Sequence, residues 1–291
     1  MKNLIEKTTP YGILGVMISQ NGVLVGEHLW EEDCRRNIYS ASKSFTSCAV
    51  GIAQAEGLLS IDEKLVDAFK DDLPENIGEN LAAATVRDLL TMCLGQAEGF
   101  LMGGQRPWMK EKDWVKAALS VPFVFAPGEK FVYNNVGPYL AGVLVQRRAG
   151  MSLVDYLMPR LFEPLGILRP TWETDPMGAT FGAGGLMLTL DELHRFGCLY
   201  LQDGLWEGRQ LVPAQWVRES TKKQVENGQD GYGYLFWMGE RGTARADGKY
   251  HQYSILLRDR NAVVSCLAEC RKDGFRQTLI DEAYAWLDSI G

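Results

Sequence analysis

The β-type sequence of this chain is concentrated at its two ends, with a long helical stretch between them. Near the amino terminus, two apolar runs flank Gln20-Asn21-Gly22, and Asn-Gly is a strong signal for a two-residue hairpin turn. Further apolar runs at 232–238, 250–257 and 262–268 precede a final helix predicted over 277–289. We therefore predict an α/β (α+β) fold, in which strands from both termini meet in one antiparallel sheet flanked by helices.

At 291 residues the chain is long enough for two interlocked lobes. We predict a sheet-containing lobe from residues 1–57 and 231–291, a mostly helical lobe from 58–230, and an active site in the cleft between them. Apolar periodicity predicts helices in the middle of the chain over 42–56, 85–93, 112–120, 137–149, 152–162 and 189–202. Ser60-Ile61-Asp62-Glu63 has the pattern of a capping box that starts one more helix.

Ser40-Ala41-Ser42-Lys43 lies at the start of the helix predicted over 42–56. Residues three apart share a helix face, so Lys43 is expected to lie over Ser40. An amine held there loses its proton more easily, or lowers the pKa of a neighbouring acid, and either effect helps make Ser40 a nucleophile. The motif alone also fits a capping serine with a solvated lysine, and Ser220-Thr221-Lys222-Lys223 repeats it without any other sign of chemistry.

A second motif, Tyr133-Asn134-Asn135, follows Pro127-Gly128-Glu129 and is the only Tyr-x-Asn in the chain. Together with the Ser-x-x-Lys motif, it resembles the serine hydrolases of the class C β-lactamase and penicillin-binding-protein superfamily, and in particular its esterase-like branch. Five further segments resemble the family and follow one another in the same order as in its members, so the resemblance extends over nearly the whole chain. They are 57–63, 85–91, 161–167, 183–186 and 189–193. The resemblance implies a β-lactamase/transpeptidase-like fold.

The resemblance also implies a catalytic role for each of four residues. Ser40 would be the acylated nucleophile, Lys43 its proton partner, and Tyr133 the general base or acid. Asn135 would orient Lys43 and the substrate. A free tyrosine has a pKa of about 10, so Tyr133 needs the nearby charge of Lys43 to act as a base at neutral pH. Taken alone, Tyr133 and Asn135 would fit a buried aromatic residue next to a helix cap.

The third family motif is altered in this chain. Relatives carry Lys-Thr-Gly, His-x-Gly or Trp-Gly-Gly on a strand beside the cleft, and here that place is taken by Ala246-Asp247-Gly248. Gly248 keeps the close backbone approach, and the amides of Ser40 and Lys249 are expected to form an oxyanion hole. Asp247 would repel a substrate carboxylate unless Arg245 or Lys249 compensates, which favours a neutral ester or amide over a β-lactam. The alternative is that Asp247 is only a turn residue.

Composition limits the partners and cofactors. A net charge of -7 argues against nucleic-acid binding, and no apolar run approaches the length of a membrane span. The segment 1–7 lacks the apolar core of a secretion signal, so a cytoplasmic location is expected. The three histidines and six cysteines lack metal-ligand or redox spacing, so we expect neither a metal nor another cofactor. Gly-x-Ser-x-Gly, the nucleophile motif of many Ser-His-Asp hydrolases, is absent.

The sequence therefore predicts a cofactor-free serine hydrolase that cleaves a small ester or amide through an acyl-enzyme on Ser40. β-Lactamase or D-Ala-D-Ala carboxypeptidase activity is the alternative chemistry, and a non-catalytic, penicillin-binding-like sensor or binding domain is the alternative class. The expected partner is a small-molecule ester, amide or β-lactam. The glycine-containing segment 100–107 is either a flap over the cleft or a surface loop.

Overall fold

A computed structural model describes residues 1–290 of the chain. The strands in that range are β1 Ile13–Gln20, β2 Val23–Leu29, β3 Arg36–Asn37, β4 Met187–Leu188, β5 Leu205–Trp206, β6 Arg209–Gln210, β7 Trp237–Met238, β8 Ala244–Gly248, β9 Gln252–Leu257 and β10 Ala262–Ala268. Six of them form one antiparallel sheet in the order β2-β1-β10-β9-β8-β7. The remaining four form the two-stranded pairs β3–β4 and β5–β6.

Helices cover the sheet and fill the middle of the chain. They are α1 Lys2–Thr8, α2 Ser42–Ala55, α3 Leu65–Ala68, α4 Glu79–Ala83, α5 Val86–Thr91, α6 Trp114–Ser120, α7 Val136–Ala149, α8 Leu153–Leu157, α9 Leu190–Leu201, α10 Ala214–Ser220 and α11 Phe275–Ile290. A π-helical turn over Met158–Phe162 continues α8. The predicted fold, an antiparallel sheet with strands from both ends of the chain and helices around it, is confirmed.

The centre of the sheet joins the two ends of the chain. Strand β1 pairs antiparallel with β10, so that Val16 lies opposite Cys266 and Ile18 opposite Val264. Val16 and Ile18 pack with the apolar residues of α11, whereas Met17, on the other face of β1, belongs to the larger core that includes α9. Both faces of β1 are therefore buried. The predicted β1–β2 hairpin is present, with its turn at Asn21-Gly22.

The larger core surrounds α2, which is buried along most of its length. Phe45 of α2 stacks on Phe196 of α9, with ring centroids 3.9 Å apart. Helices α2 and α7 pack against each other inside this core. Because α2 is enclosed by other elements, a polar side chain near its first turn is held by protein atoms rather than by water.

The helix predicted to begin at Ser60 is absent, and that prediction is wrong. Two carbonyl groups of this segment bond outside it, since Ile61 O accepts from the Arg87 amide at 2.8 Å and Glu63 O accepts from the Val86 amide at 3.0 Å. Residues 60–63 form a turn held against the start of α5, and the next helix, α3, begins at Leu65. These tertiary hydrogen bonds override a local capping pattern.

The strand predicted over 232–238 is also wrong, because only its last two residues, the strand β7, join the sheet. The Tyr234 amide donates to Ser220 O at 3.0 Å, and the Leu235 amide donates to Leu90 O at 2.9 Å. The aromatic run is therefore buried against helices rather than paired with strands. Similarly, β9 begins two residues later than predicted, because Tyr250 and His251 have φ values of 64° and 70°.

Within residues 1–290, none of the helices combines the length with the apolar composition that a membrane span requires. The lobe boundaries at 57/58 and 230/231 stay predictions, and residue 291, the last of the predicted sheet lobe, lies outside the described residues.

Candidate active site

A cleft of about 790 Å³ opens beside β8. Its walls come from the turn before α2, the loop over 102–106, the segment before α7, and β8 with the residue after it. Five of the predicted site residues line it, and they are Ser40, Tyr133, Asn135, Asp247 and Lys249. Residues distant in sequence are thus brought to one cavity, with Lys43 buried next to it.

Ser40 and Lys43 lie together as their spacing predicts. A 3₁₀ turn over Tyr39–Ala41 leads into α2, and Lys43 projects from the first turn of that helix. The Lys43 Nζ donates to Ser40 Oγ at 3.0 Å and to the backbone oxygen of Ala183 at 2.6 Å. With only 1% of Lys43 exposed, water does not compete for the amine.

The environment of Lys43 favours an unprotonated amine. Burial lowers its pKa from the ordinary value to about 7, the nearby Arg106 guanidinium adds to the lowering, and the carboxylate of Asp247 opposes it. Near neutral pH a substantial fraction of Lys43 is therefore an uncharged amine whose lone pair can accept a proton from Ser40.

Tyr133 completes the polar group around Ser40. Lys43 Nζ lies 5.1 Å from the centre of the Tyr133 ring, and the ring packs against Trp237 with centroids 5.4 Å apart. Burial raises the pKa of the phenol, the Ser40 hydroxyl lowers it, and Asp247 raises it further. The phenol is thus neutral at pH 7. The lowered pKa of Lys43 and the raised pKa of Tyr133 thus favour a neutral phenol beside an uncharged amine, and the role of Tyr133 as general base or acid stays a prediction.

Asn135 does not orient Lys43 by a hydrogen bond, which corrects the expectation for this residue. Its Nδ2 donates to the backbone oxygen of Leu101 at 2.9 Å, and the Ala183 carbonyl takes the expected place beside Lys43. The Oδ1 of Asn135 is buried without a hydrogen-bond partner among the described residues. An unpartnered acceptor on the cleft wall is suited to a substrate N–H or O–H group.

The altered third motif lies on β8, as the resemblance implies. A Cβ atom at Gly248 would overlap the backbone oxygen of Ile38, so glycine allows β8 to approach the turn that carries Ser40. Asp247 accepts from the Nε of the buried Arg245 at 2.9 Å, and Arg245 also donates to the backbone oxygen of Met238. Arg245 therefore compensates part of the charge of Asp247, which weakens the expected repulsion of a substrate carboxylate.

The unpaired charges of the cleft are positive. Arg106 forms an ion pair with Glu173 and lies over the Phe181 ring at 4.2 Å. In contrast, neither Lys249 nor Arg276 has an acidic partner within 4.0 Å in residues 1–290, and both line the cleft. The cleft therefore attracts anions although the whole chain carries a net charge of -7.

Several cleft residues escaped sequence reasoning. They are Asn37, Tyr39, Glu173, Ala183 and Arg276. Ala183 acts through its backbone oxygen, which carries no side-chain signal, although it precedes the glycine pair of the resemblance. The sequence predicts that the segment 100–107 is either a flap over the cleft or a surface loop. In the structure, its part from Met102 to Arg106 contributes to the cleft wall. No three His, Cys, Asp or Glu side chains in the described residues are grouped as a metal ion requires.

The second Ser-x-x-Lys match has an ordinary structural role. Ser220 is buried at the end of α10 and donates to the backbone oxygen of Val217 at 3.2 Å. Lys223 pairs instead with Glu226 at 2.7 Å. The same spacing thus yields a serine–lysine contact at one place and a helix end at the other.

Comparison with known proteins identifies relatives of the whole fold. A family model described as Beta-lactamase matches residues 3–284. A putative β-lactamase from Bacteroides dorei superposes with a TM-score of 0.81 at 19% identity, covering 98% of this chain and 97% of that one. The predicted β-lactamase/transpeptidase-like fold is thereby confirmed.

Curated sequence relatives include two proteins with named activities. A D-aminopeptidase of Brucella anthropi is 28% identical over 179 residues, which is 55% of this chain and 32% of that protein. A lovastatin esterase of Penicillium rubens is 29% identical over 150 residues, or 44% of this chain and 37% of that protein. Two further relatives are proteins of Mycobacterium tuberculosis, and their match to this chain covers 49% of their own length.

Proposed function

Because this chain belongs to the beta-lactamase family of serine hydrolases, we propose that it cleaves a small ester or amide through an acyl-enzyme on Ser40. The observation that carries this proposal is the contact of Ser40 Oγ with the buried amine of Lys43 at 3.0 Å, on the wall of a cleft of about 790 Å³. The two relatives named above support ester and amide chemistry on such a scaffold.

The proposed reaction uses Lys43 and Tyr133 as neutral groups. Ser40 Oγ attacks the substrate carbonyl carbon while its proton passes to the Lys43 amine. Tyr133 then donates its phenolic proton to the leaving oxygen or nitrogen as the bond to the carbonyl breaks, and Lys43 restores that proton. Water hydrolyses the acyl-enzyme by the reverse proton transfers. The amides of Ser40 and Lys249 are the proposed donors to the carbonyl oxygen, and removing such a donor typically costs on the order of a hundredfold in rate.

The first experiment is intact-protein mass measurement after brief mixing with p-nitrophenyl butyrate, together with release of p-nitrophenolate. We expect steady turnover, with a butyryl adduct where deacylation limits the rate, and Ser40→Ala should abolish both. Ser220→Ala is the matched control, because it removes the serine of the other Ser-x-x-Lys sequence, and it should retain both signals. No adduct and no turnover above the Ser40→Ala background would contradict the ester proposal. An adduct that never turns over would instead favour the non-catalytic sensor.

A carboxylate-bearing substrate, such as a β-lactam or a D-alanyl peptide, is a second candidate. It is favoured by the pairing of Asp247 with Arg245, and by the unpaired cations Lys249 and Arg276. The test compares kcat/KM for nitrocefin, which is anionic, with kcat/KM for the neutral butyrate ester.

If charge recognition operates, Lys249→Gln and Arg276→Gln should lower the value for nitrocefin more than the value for the ester. Raised salt should act in the same direction, because it screens the attraction. Arg209→Gln is the matched control, since Arg209 is an exposed cation outside the cleft lining. Equal effects on both substrates would rule out this candidate.

A further inference from the structure

The residue before the proposed nucleophile has an unusual backbone conformation. Tyr39 has a φ of 48°, in the left-handed region that residues with a Cβ rarely adopt. Its backbone N–H donates to Asn37 Oδ1 at 2.7 Å. An asparagine oxygen that accepts from the amide two residues later stabilises a tight turn of this kind. The Asn37 side chain therefore compensates part of the conformational cost at Tyr39.

The neighbouring peptide groups are held by other parts of the fold. The Ile38 amide donates to Leu186 O at 3.0 Å, and the Ser42 hydroxyl donates to Tyr39 O at 2.6 Å. The Tyr39 ring meets the Tyr250 ring edge-on, with centroids 5.3 Å apart. The amide of Tyr39, in contrast, depends on a side chain, so that one substitution can release it while leaving the other contacts in place.

We propose that Asn37 is a positioning residue for Ser40, because its side chain holds Tyr39 in the left-handed conformation that directs the Ser40 hydroxyl to Lys43. The inference rests on the proposed function, since it takes Ser40 as the nucleophile. Without the Asn37 hydrogen bond, Tyr39 relaxes toward negative φ. A rotation at the residue adjoining Ser40 changes the direction of the Ser40 side chain, and its 3.0 Å contact with Lys43 Nζ is lost.

The test measures how fast a fluorophosphonate labels Ser40. In that reaction the Ser40 oxygen bonds to phosphorus, fluoride leaves, and the serine proton passes to Lys43. Asn37→Ala should be labelled at least tenfold more slowly than the parent. Glycine adopts positive φ without help, so adding Tyr39→Gly to Asn37→Ala should restore the rate to within about threefold of Tyr39→Gly alone. Asn37→Ser, which keeps a shorter acceptor, should lie between the parent and Asn37→Ala.

Ser60→Ala is the matched control, because Ser60 Oγ accepts from the amide two residues later, at 3.2 Å, outside the cleft. It should be labelled like the parent. The inference is overturned if Asn37→Ala reacts at the parental rate. It is also overturned if Tyr39→Gly fails to rescue Asn37→Ala, because Asn37 then acts on the reagent directly.

A crystal structure of Asn37→Ala in which Tyr39 keeps its positive φ would overturn the inference without reference to catalysis. A parent protein that is not labelled at all is a different result. In that case the proposed function fails, and Asn37 has no nucleophile to position.

Discussion

At the scale of single residues, the proposed reaction makes the reactivity of Ser40 depend on the protonation state of Lys43. Burial lowers the Lys43 pKa to about 7, with Arg106 adding to the effect. We expect kcat/KM for p-nitrophenyl butyrate to rise with pH through about 7 and then to level off, because only the uncharged amine accepts the Ser40 proton. Steady-state kinetics between about pH 5 and pH 9 measure this profile.

Lys43→Arg is the accompanying variant, because arginine stays charged throughout this pH range. It should lose activity by about a hundredfold or more. The buried His194 does not confuse the profile, since burial lowers its pKa to about 4. A profile that is flat across pH 7, or an active Lys43→Arg variant, would contradict the role of Lys43 as the base.

Tyr133 gives a second prediction at this scale. Tyr133→Phe keeps the ring that packs on Trp237 but removes the phenolic proton donor. The rate of acylation should fall by roughly a hundredfold or more, while the free energy of unfolding changes little. Pre-steady-state acylation by an alkyl butyrate, whose alcohol must be protonated as it leaves, and urea unfolding separate the two effects. Unchanged acylation would show that the leaving group takes its proton from another source.

At the scale of elements, the contact between α5 and α7 positions the segment that carries Tyr133 and Asn135. A Cβ atom at Gly137, in the first turn of α7, would overlap the backbone oxygen of Leu89 in α5. Gly137→Ala should therefore push the start of α7 away, lowering both stability and activity. We expect a loss in unfolding free energy of about 1–3 kcal/mol, as for other overpacked cores, measured by urea unfolding.

Gly142→Ala is the control for that prediction, because Gly142 lies in the same helix and is buried as well. Its added Cβ would lie 3.5 Å from the nearest atom, which is an ordinary contact. The variant should keep its activity and gain slightly in stability, since alanine favours helix. Equal behaviour of the two variants would show that the α5–α7 distance does not control the site.

Sequence patterns predicted elements whose contacts are local, and missed features that depend on tertiary contacts. The hairpin of β1 and β2 follows from Asn21-Gly22, and α9 lies within the helix predicted over 189–202. The β-rich composition around Tyr234 predicted a strand. That composition could not show that the Tyr234 amide donates to the last residue of α10 instead of to a neighbouring strand. Within the site, the resemblance identified Ser40, but the Ala183 carbonyl became visible only in the structure.

At the scale of the whole molecule, the buried Lys43 should reduce stability. The Lys43 pKa falls from its ordinary value of 10.5 to about 7 on folding, so between these pH values the unfolded chain binds more protons than the folded chain. The contribution of Lys43 to the free energy of unfolding therefore rises with pH across this window. The destabilisation of the folded protein by Lys43 is greatest below about pH 7.

Lys43→Met, which cannot be charged, should accordingly be inactive and more stable than the parent. The difference in unfolding free energy should be largest at pH 6 and should shrink as the pH rises toward about 10. Urea unfolding of the two proteins at several pH values tests this. A difference independent of pH would show that Lys43 keeps the same protonation state in the folded and unfolded protein.

The pairing of β1 with β10 has a consequence for biosynthesis. Ser40 leaves the ribosome well before strand β8, which forms one wall of the cleft. Strand β10, which pairs with β1, follows β8 and β9 and ends at Ala268. While these strands are being synthesised, a nascent chain therefore exposes Ser40 without the complete cleft around it. Hydrolytic activity should appear abruptly, when translation has passed β10 and the sheet can close. Chains that stall or end before β10 should therefore be inactive.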